Sequence, residues 1–198
     1  MAGDSSQGAD VDRCVDAALE RFGKLDVVVN NTGGPPAGAF DDLADDDWQS
    51  AFDLTVQSAL RMTRRALPAL RRSGRGRVVT LTSSAVKEQA DGLLLTNAMR
   101  PAVTGWSKDQ ARAEGPNGIT FNCVAPGYCD TDRMKYLYSL EDDPVGARAR
   151  DEQLIPVRRF ATPEEMAAAV VFLCSVPAAY INGITLMVDG GLARGLLS

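Results

Sequence analysis

The chain has 198 residues, 45% of them hydrophobic and 24% charged, a balance that supports a buried core and excludes an intrinsically disordered polymer. Its net charge of -5 weighs against nucleic acid or an anionic membrane surface as partner, and its lack of any histidine excludes His-based triads and removes the commonest metal ligand. No apolar run approaches the roughly 20 residues that cross a bilayer, and the start MAGDSSQGAD has no basic and apolar leader pattern, so a cytoplasmic protein is expected.

Residues 10–22 place Val11, Cys14, Val15, Ala18, Leu19 and Phe22 on one stripe and stop at Gly23, which predicts a helix packed by one face. Residues 25–29 read as a strand buried on both faces of a parallel sheet. The following NNTGGPPAG is punctuated by Gly and Pro and must be a loop. The acidic run DDLADDD at 41–47 precedes a long amphipathic segment at 48–70, so its carboxylates belong at a helix N-terminus rather than on a metal. The basic run RMTRRALPALRRSGRGR at 61–77 reads as the solvated face and C-terminal end of that helix rather than a nucleic-acid patch.

Residues 77–82 form a second predicted strand, 95–114 the next helix, and 119–124 a third strand leading into PGYCDTDR. Residues 130–160 lack a sustained apolar period and predict a mobile flap with a short helix. Thr162, Pro163 and Glu165 make an N-cap, a first-turn proline and a capping box for a helix to Ser175. Residues 184–188 are the last strand, ended by Asp189, Gly190 and Gly191. Cysteines 14, 123, 129 and 174 are scattered, with Cys14, Cys123 and Cys174 on apolar positions, and read as free thiols. Alternating helices and strands without repeat or linker predict an α/β, doubly wound parallel sheet forming one domain over residues 1–198.

The stretch VVTLTSSAVKEQADGLLLTNAMRPAVTGWSK, residues 78–108, is where chemistry is expected. An apolar strand runs into adjacent serines at its carboxyl end, where open sheets place ligand crevices. The helix behind them carries Thr96 and Arg100 four positions apart, on one face.

The stretches LDVVVNNTGG, GRVVTLTSS, NGITFNCVAPG followed by Thr131, TPEEMAAAVVFL and INGITLMVDGG lie in this order across nearly the whole chain. Together they resemble the short-chain dehydrogenase/reductase family, especially its β-ketoacyl carrier-protein reductase-like branch. The resemblance implies a Rossmann-like fold, NAD or NADP as cofactor, and a small-molecule carbonyl, alcohol or acyl-thioester substrate. It also implies a homo-oligomer, dimer or tetramer, in which helices 48–70 and 95–114 pair. It places Asn30, Asn31 and Gly33 beside the cofactor, with Thr32 replacing an Ala. Pro126, Gly127 and Thr131 then meet the nicotinamide end, and Asp4 approaches the adenine. Strand-end hydrogen bonding is an equally good reading of the Asn pair.

Family chemistry uses a proton relay of an Asn acting through water, a Ser, a Tyr and a Lys. Counting 13 from Ser83 reaches Thr96 in place of the Tyr and then Arg100 in place of the Lys, while Thr55 holds the Asn position. Ser84 substitutes for Ser83 if the loop is one residue shorter. A Thr hydroxyl is no acid in the phenol's range, whereas Arg100 keeps its charge and can clamp a ribose or stabilise an oxyanion. Lys87 is a second candidate cation, and Tyr128, Tyr136 and Tyr138 are candidate replacement acids.

Family members begin with a strand, a Gly-x-x-x-Gly-x-Gly turn, a helix and another strand, and no such glycine spacing occurs in this chain. Weakened NAD(P) binding is the expectation, with strand 25–30 left as an apolar edge that invites another chain. Two functions remain open at this stage: an NAD(P)-dependent oxidoreductase, impaired by these departures, or a non-catalytic binding or assembly partner of the same fold.

Overall fold

The computed structural model describes residues 3–195. Its centre is a four-stranded sheet in the order β1 (Val27–Asn30), β2 (Arg77–Leu81), β3 (Thr120–Pro126), β4 (Thr185–Val188), with every neighbouring pair parallel. Each crossover carries a helix, as parallel pairing requires. The chain enters through α1 (Gly8–Phe22), which ends as expected at Gly23 in the left-handed conformation. Between β1 and β2 lie α2 (Asp45–Phe52), a π-helical turn (Asp53–Gln57) and α3 (Ser58–Ser73). Helix α4 (Leu94–Glu114) joins β2 to β3. From β3 the chain passes through α5 (Asp132–Tyr138), α6 (Pro144–Leu154) and α7 (Pro163–Cys174) to β4.

Strand register sorts the side chains into two cores. Val28, Val78 and Phe121 form one row across the sheet and pack with Ala66, Leu70, Ala111 and Trp106 of α3 and α4. Val79 and Val124 point to the other face, against Leu173 and Val170 of α7. Two-sided burial explains why the strands lack polar alternation. The exception is β1. Helix α7 packs over β2 and β3, so Val27 and Val29, which share its side of the sheet, stay 37% and 45% exposed. Among the described residues β1 also ends the strand order, so an apolar strand stands at the edge of the sheet.

Local signals predict most element ends. Asp45, Asp46 and Asp47 occupy the first turn of α2, and among the described residues no acidic or Cys cluster is arranged to hold a metal. The capping box of α7 forms, with the Thr162 hydroxyl accepting from Glu165 N and the Glu165 carboxylate accepting from Thr162 N. No described helix is long and apolar enough to cross a membrane. Three details differ from expectation. Residues 130–160 hold two helices rather than one, because Asp143 caps and Pro144 opens α6. Cys14 is exposed, since α1 buries only Val11 and Val15. Arg77, read with the solvated basic run, is buried as the first residue of β2 and donates to the carbonyls of Arg75 and Gly76.

Candidate active site

The carboxyl ends of the strands carry four loops to one rim, and the sequence-predicted residues sort along it. Asn30 is buried at the end of β1, where its amide donates to Thr63 Oγ1 at 3.3 Å and Thr80 Oγ1 at 3.2 Å. The row shared by Asn30 and Thr80 faces α3, so this side chain ties strand to helix. Asn31 and Gly33 are exposed in the loop at 31–38, and a Cβ added at Gly33 would meet nothing within 4 Å. Open space lies over that backbone. Asp4 stands apart: its hydrogen bonds run to residues 6, 7 and 10 at the start of α1.

Beyond β2, Thr82 N donates to Val124 O at 2.8 Å, which extends the β2–β3 ladder to the brink of Ser83. Ser83 caps a single 3-10 turn (Ser84–Val86), its hydroxyl accepting from Ala85 N at 3.2 Å. Ser83 and Ser84 are both half-buried, and it is Ser83 that makes the capping bond. The Asn97 side chain clamps the returning loop by bonding Ala90 N and Ala90 O at 3.1 and 2.8 Å. Thr96 is half-buried on the first turn of α4.

Arg100 lies one turn further on and is 8% exposed. Its guanidinium donates to Leu81 O at 2.9 Å and, at 3.4 Å, to Gly33 O, tying together the segments that leave β1 and β2. Its Nε is buried without a partner, and no carboxylate among the described residues pairs with it. Burial pushes its pKa down to about 10, so it is charged at neutral pH. The hydroxyl of Thr55 is likewise buried and unpartnered, in the π-helical turn that packs against α4. Such turns recur where a helix is bent to aim a side chain at a site. The Arg77 Nε and Thr120 hydroxyl at the other ends of the strands are unpartnered as well, so it is the buried charge of Arg100, more than an orphaned atom, that sets this strand end apart.

At the end of β3, Gly127 lies so close to β4 that an added Cβ would sit 2.8 Å from Asp189 Cβ and 2.9 Å from its Cα. Only a residue without a side chain allows that approach. Pro126 ends β3 in register with Val188. Thr131 caps α5, its hydroxyl accepting from Met134 N at 3.4 Å. The candidate acids look elsewhere. Tyr138 donates to Asp151 at 2.5 Å, and Tyr128 and Tyr138 both stack on Phe160. Burial, reinforced by the Asp151 carboxylate, pushes the Tyr128 phenol up to about 12 and raises that of Tyr138 as well. Tyr136 is 55% exposed on α5. Lys87 is exposed one residue past the 3-10 turn. Sequence reasoning missed Asn97, Asp151 and Arg133. The last reaches from α5 to Pro35 O at 2.6 Å, 98 positions away, and only its place two residues after Thr131 could have drawn notice.

This geometry has relatives. A family model described as enoyl-(acyl carrier protein) reductase matches residues 1–193. The putative ketoacyl reductase of the monensin polyketide synthase from Streptomyces virginiae is 35% identical, the alignment covering 96% of this chain and 76% of that protein. The 3-oxoacyl-[acyl-carrier-protein] reductase of a Synechocystis strain is 32% identical over 92% of this chain and 71% of that one. Among solved structures, YwfH, an NADPH-dependent reductase involved in bacilysin biosynthesis, superposes with a TM-score of 0.94 at 27% identity, covering 99% of this chain and 78% of that chain. With the parallel sheet, the Asn30 to Gly33 turn and the Ser83 strand end in their places, the chain belongs to the short-chain dehydrogenase/reductase family.

Proposed function

We propose that the protein is an NAD(P)-dependent oxidoreductase of carbonyl and alcohol substrates, of the 3-oxoacyl-thioester reductase type, in which Ser83 and Arg100 bind the reacting oxygen and no protein phenol serves as acid. The observation that carries this reading is the buried guanidinium of Arg100, unpaired by any carboxylate among the described residues, at the meeting of the β1 and β2 ends. Relatives described as ketoacyl reductases and an NADPH-dependent structural neighbour support it over a non-catalytic role.

The residues present fit a nicotinamide dinucleotide. Space lies open above the Gly33 backbone at the end of β1, and the Arg100 guanidinium beside it supplies a positive charge. Asn31 and Gly33 would lie beside it and Pro126, Gly127 and Thr131 at its nicotinamide end; Asn30 holds the strand end from beneath. When bound, the cofactor supplies or takes up a hydride. The chain's own work is electrostatic: Arg100 stabilises negative charge on the substrate oxygen without changing its own protonation, and the Ser83 hydroxyl fixes that oxygen's direction. Thr96 offers a hydroxyl that can hold a water molecule, and water delivers the proton.

Cofactor consumption with an acetoacetyl thioester tests this. Arg100→Met should lower kcat about a hundredfold or more, the scale of losing one oxyanion donor, with Arg100→Lys recovering part of it. Wild-type turnover by Arg100→Met would overturn the reading. Free and partly buried cysteines suit a reducing, cytoplasmic setting, and the family resemblance supports a homo-oligomer through α3 and α4, which sedimentation would reveal.

A further inference from the structure

The segment Gly33–Gly34–Pro35 receives a guanidinium from each side. From α4, Arg100 donates to Gly33 O; from α5, Arg133 donates to Pro35 O at 2.6 Å. Arg133 is half-buried and lies against Gly34, where an added Cβ would sit 3.3 Å from its Nε. Its guanidinium also stands 5.7 Å from the centre of the Tyr136 ring. Neither cation pairs with a carboxylate among the described residues. The nearest acids in sequence are already engaged: Asp130 with Arg148 at 3.2 Å and Asp132 with Lys135 at 3.0 Å. Residues 31–40 contain no acid at all.

Both guanidiniums thus bond neutral carbonyls of one short loop with no anion among the described residues to neutralise either, and burial disfavours the charged form of Arg100. In a chain of net charge -5 this is a local arrangement, not a reflection of composition. A bound oxyanion would supply the missing counter-charge. Guanidinium pairs preferentially with phosphate and carboxylate oxygens, through charge-assisted bonds stronger than those to a neutral carbonyl.

We infer that Arg133 acts as an oxyanion clamp on the 33–35 loop, exchanging the Pro35 carbonyl for a phosphate or carboxylate oxygen of the ligand while Arg100 stays with the reacting oxygen. Because Arg133 sits on α5, the exchange draws the flap helix onto the bound molecule. The anion is either a phosphate of the dinucleotide or a carboxylate on the substrate. This rests on the reading that places the ligand between the loops at 31–38 and 127–131.

Arg133→Met and Arg133→Lys, checked for fold by circular dichroism, would be titrated with NADH and NADPH by fluorescence at two ionic strengths. KM would then be measured for a keto acid and for its methyl ester. A loss of about ten- to a hundredfold in dinucleotide affinity, the scale of one hydrogen bond to a charged group, with recovery in Arg133→Lys and a weaker salt dependence in Arg133→Met, assigns the clamp to the cofactor's phosphate. A loss confined to the keto acid, sparing the ester, assigns it to the substrate. If wild-type protein binds neither dinucleotide, the placement of the ligand fails and the clamp with it. Wild-type binding that Arg133→Met matches in both arms overturns the clamp alone.

Discussion

Replacing Asn30 with alanine separates a strand-end role from a ligand-contact role. The amide makes two hydrogen bonds, to Thr63 Oγ1 at 3.3 Å and Thr80 Oγ1 at 3.2 Å, and both threonines are 2% exposed. These are long bonds between neutral groups, each contributing about 1 kcal/mol. Truncation also leaves two buried hydroxyls with one partner fewer and a small void, so the total cost is about 2–3 kcal/mol. In a chain of this size that lowers Tm by roughly 4–12 °C. Urea denaturation followed by circular dichroism would measure the loss, and a double-mutant cycle with Thr80→Val should show coupling of about 0.5–1 kcal/mol. Dinucleotide affinity measured well below Tm should stay within about twofold, since the amide faces α3. Unchanged stability with a tenfold loss of affinity would refute the reasoning and make Asn30 a direct cofactor contact.

Further outcomes follow from the same geometry. Gly127→Ala should displace the loop against Asp189, whose Cβ and Cα lie 2.8 and 2.9 Å from the added methyl, costing about 1–3 kcal/mol and weakening dinucleotide binding; unaltered stability and binding would contradict the close approach. Asp151→Asn should loosen the flap by replacing the charged acceptor of Tyr138, raising proteolytic nicking within residues 130–160 while leaving urea stability within about 1 kcal/mol; equal nicking rates would speak against that anchor. In acid, hydrogen bonding from Ser73 and Lys24 holds Asp26 down to about 2, and Arg159 does the same for Glu165. These folded-state values lie below the unfolded ones of 3.8 and 4.5. Their stabilisation is therefore complete above about pH 5 and is lost as pH falls toward 2. Thermal melts should show Tm falling through that window, and a flat Tm from pH 5 to 2 would contradict it.

The fold was legible because its signals are local. Apolar strands at 25–29, 77–82 and 119–124, the stop at Gly23 and the box at Thr162 and Glu165 each act within a few residues. The flap's second helix had such a signal too, in Asp143 and Pro144, but its weak apolar pattern concealed it. What escaped was set by distance. Arg77 looks like its basic neighbours in sequence, and only the start of β2 buries it. The π-helical turn that holds Thr55 has no compositional mark. Counting from Ser83 singled out Thr96 and Arg100, which lie on the first turns of α4. It could not reveal that Arg100 reaches Gly33 O, 67 positions away, or that Arg133 meets the same loop from the flap. Nor could it show Tyr138 bonded to Asp151 and stacked, with Tyr128, on Phe160.

The most direct test of the central claim is the pH dependence of kcat/KM for acetoacetyl-thioester reduction, measured for the wild type and for the double variant Thr96→Tyr, Arg100→Lys. With Arg100 charged up to about pH 10 and Tyr128 protonated up to about pH 12, the wild type should show no protein ionisation between about pH 6 and 9. The double variant should acquire a limb in that range as a phenol beside a lysine takes over proton transfer. A wild-type profile that already titrates there, abolished by Thr96→Val or Tyr128→Phe, would show that a side-chain acid works in this site and would contradict the account.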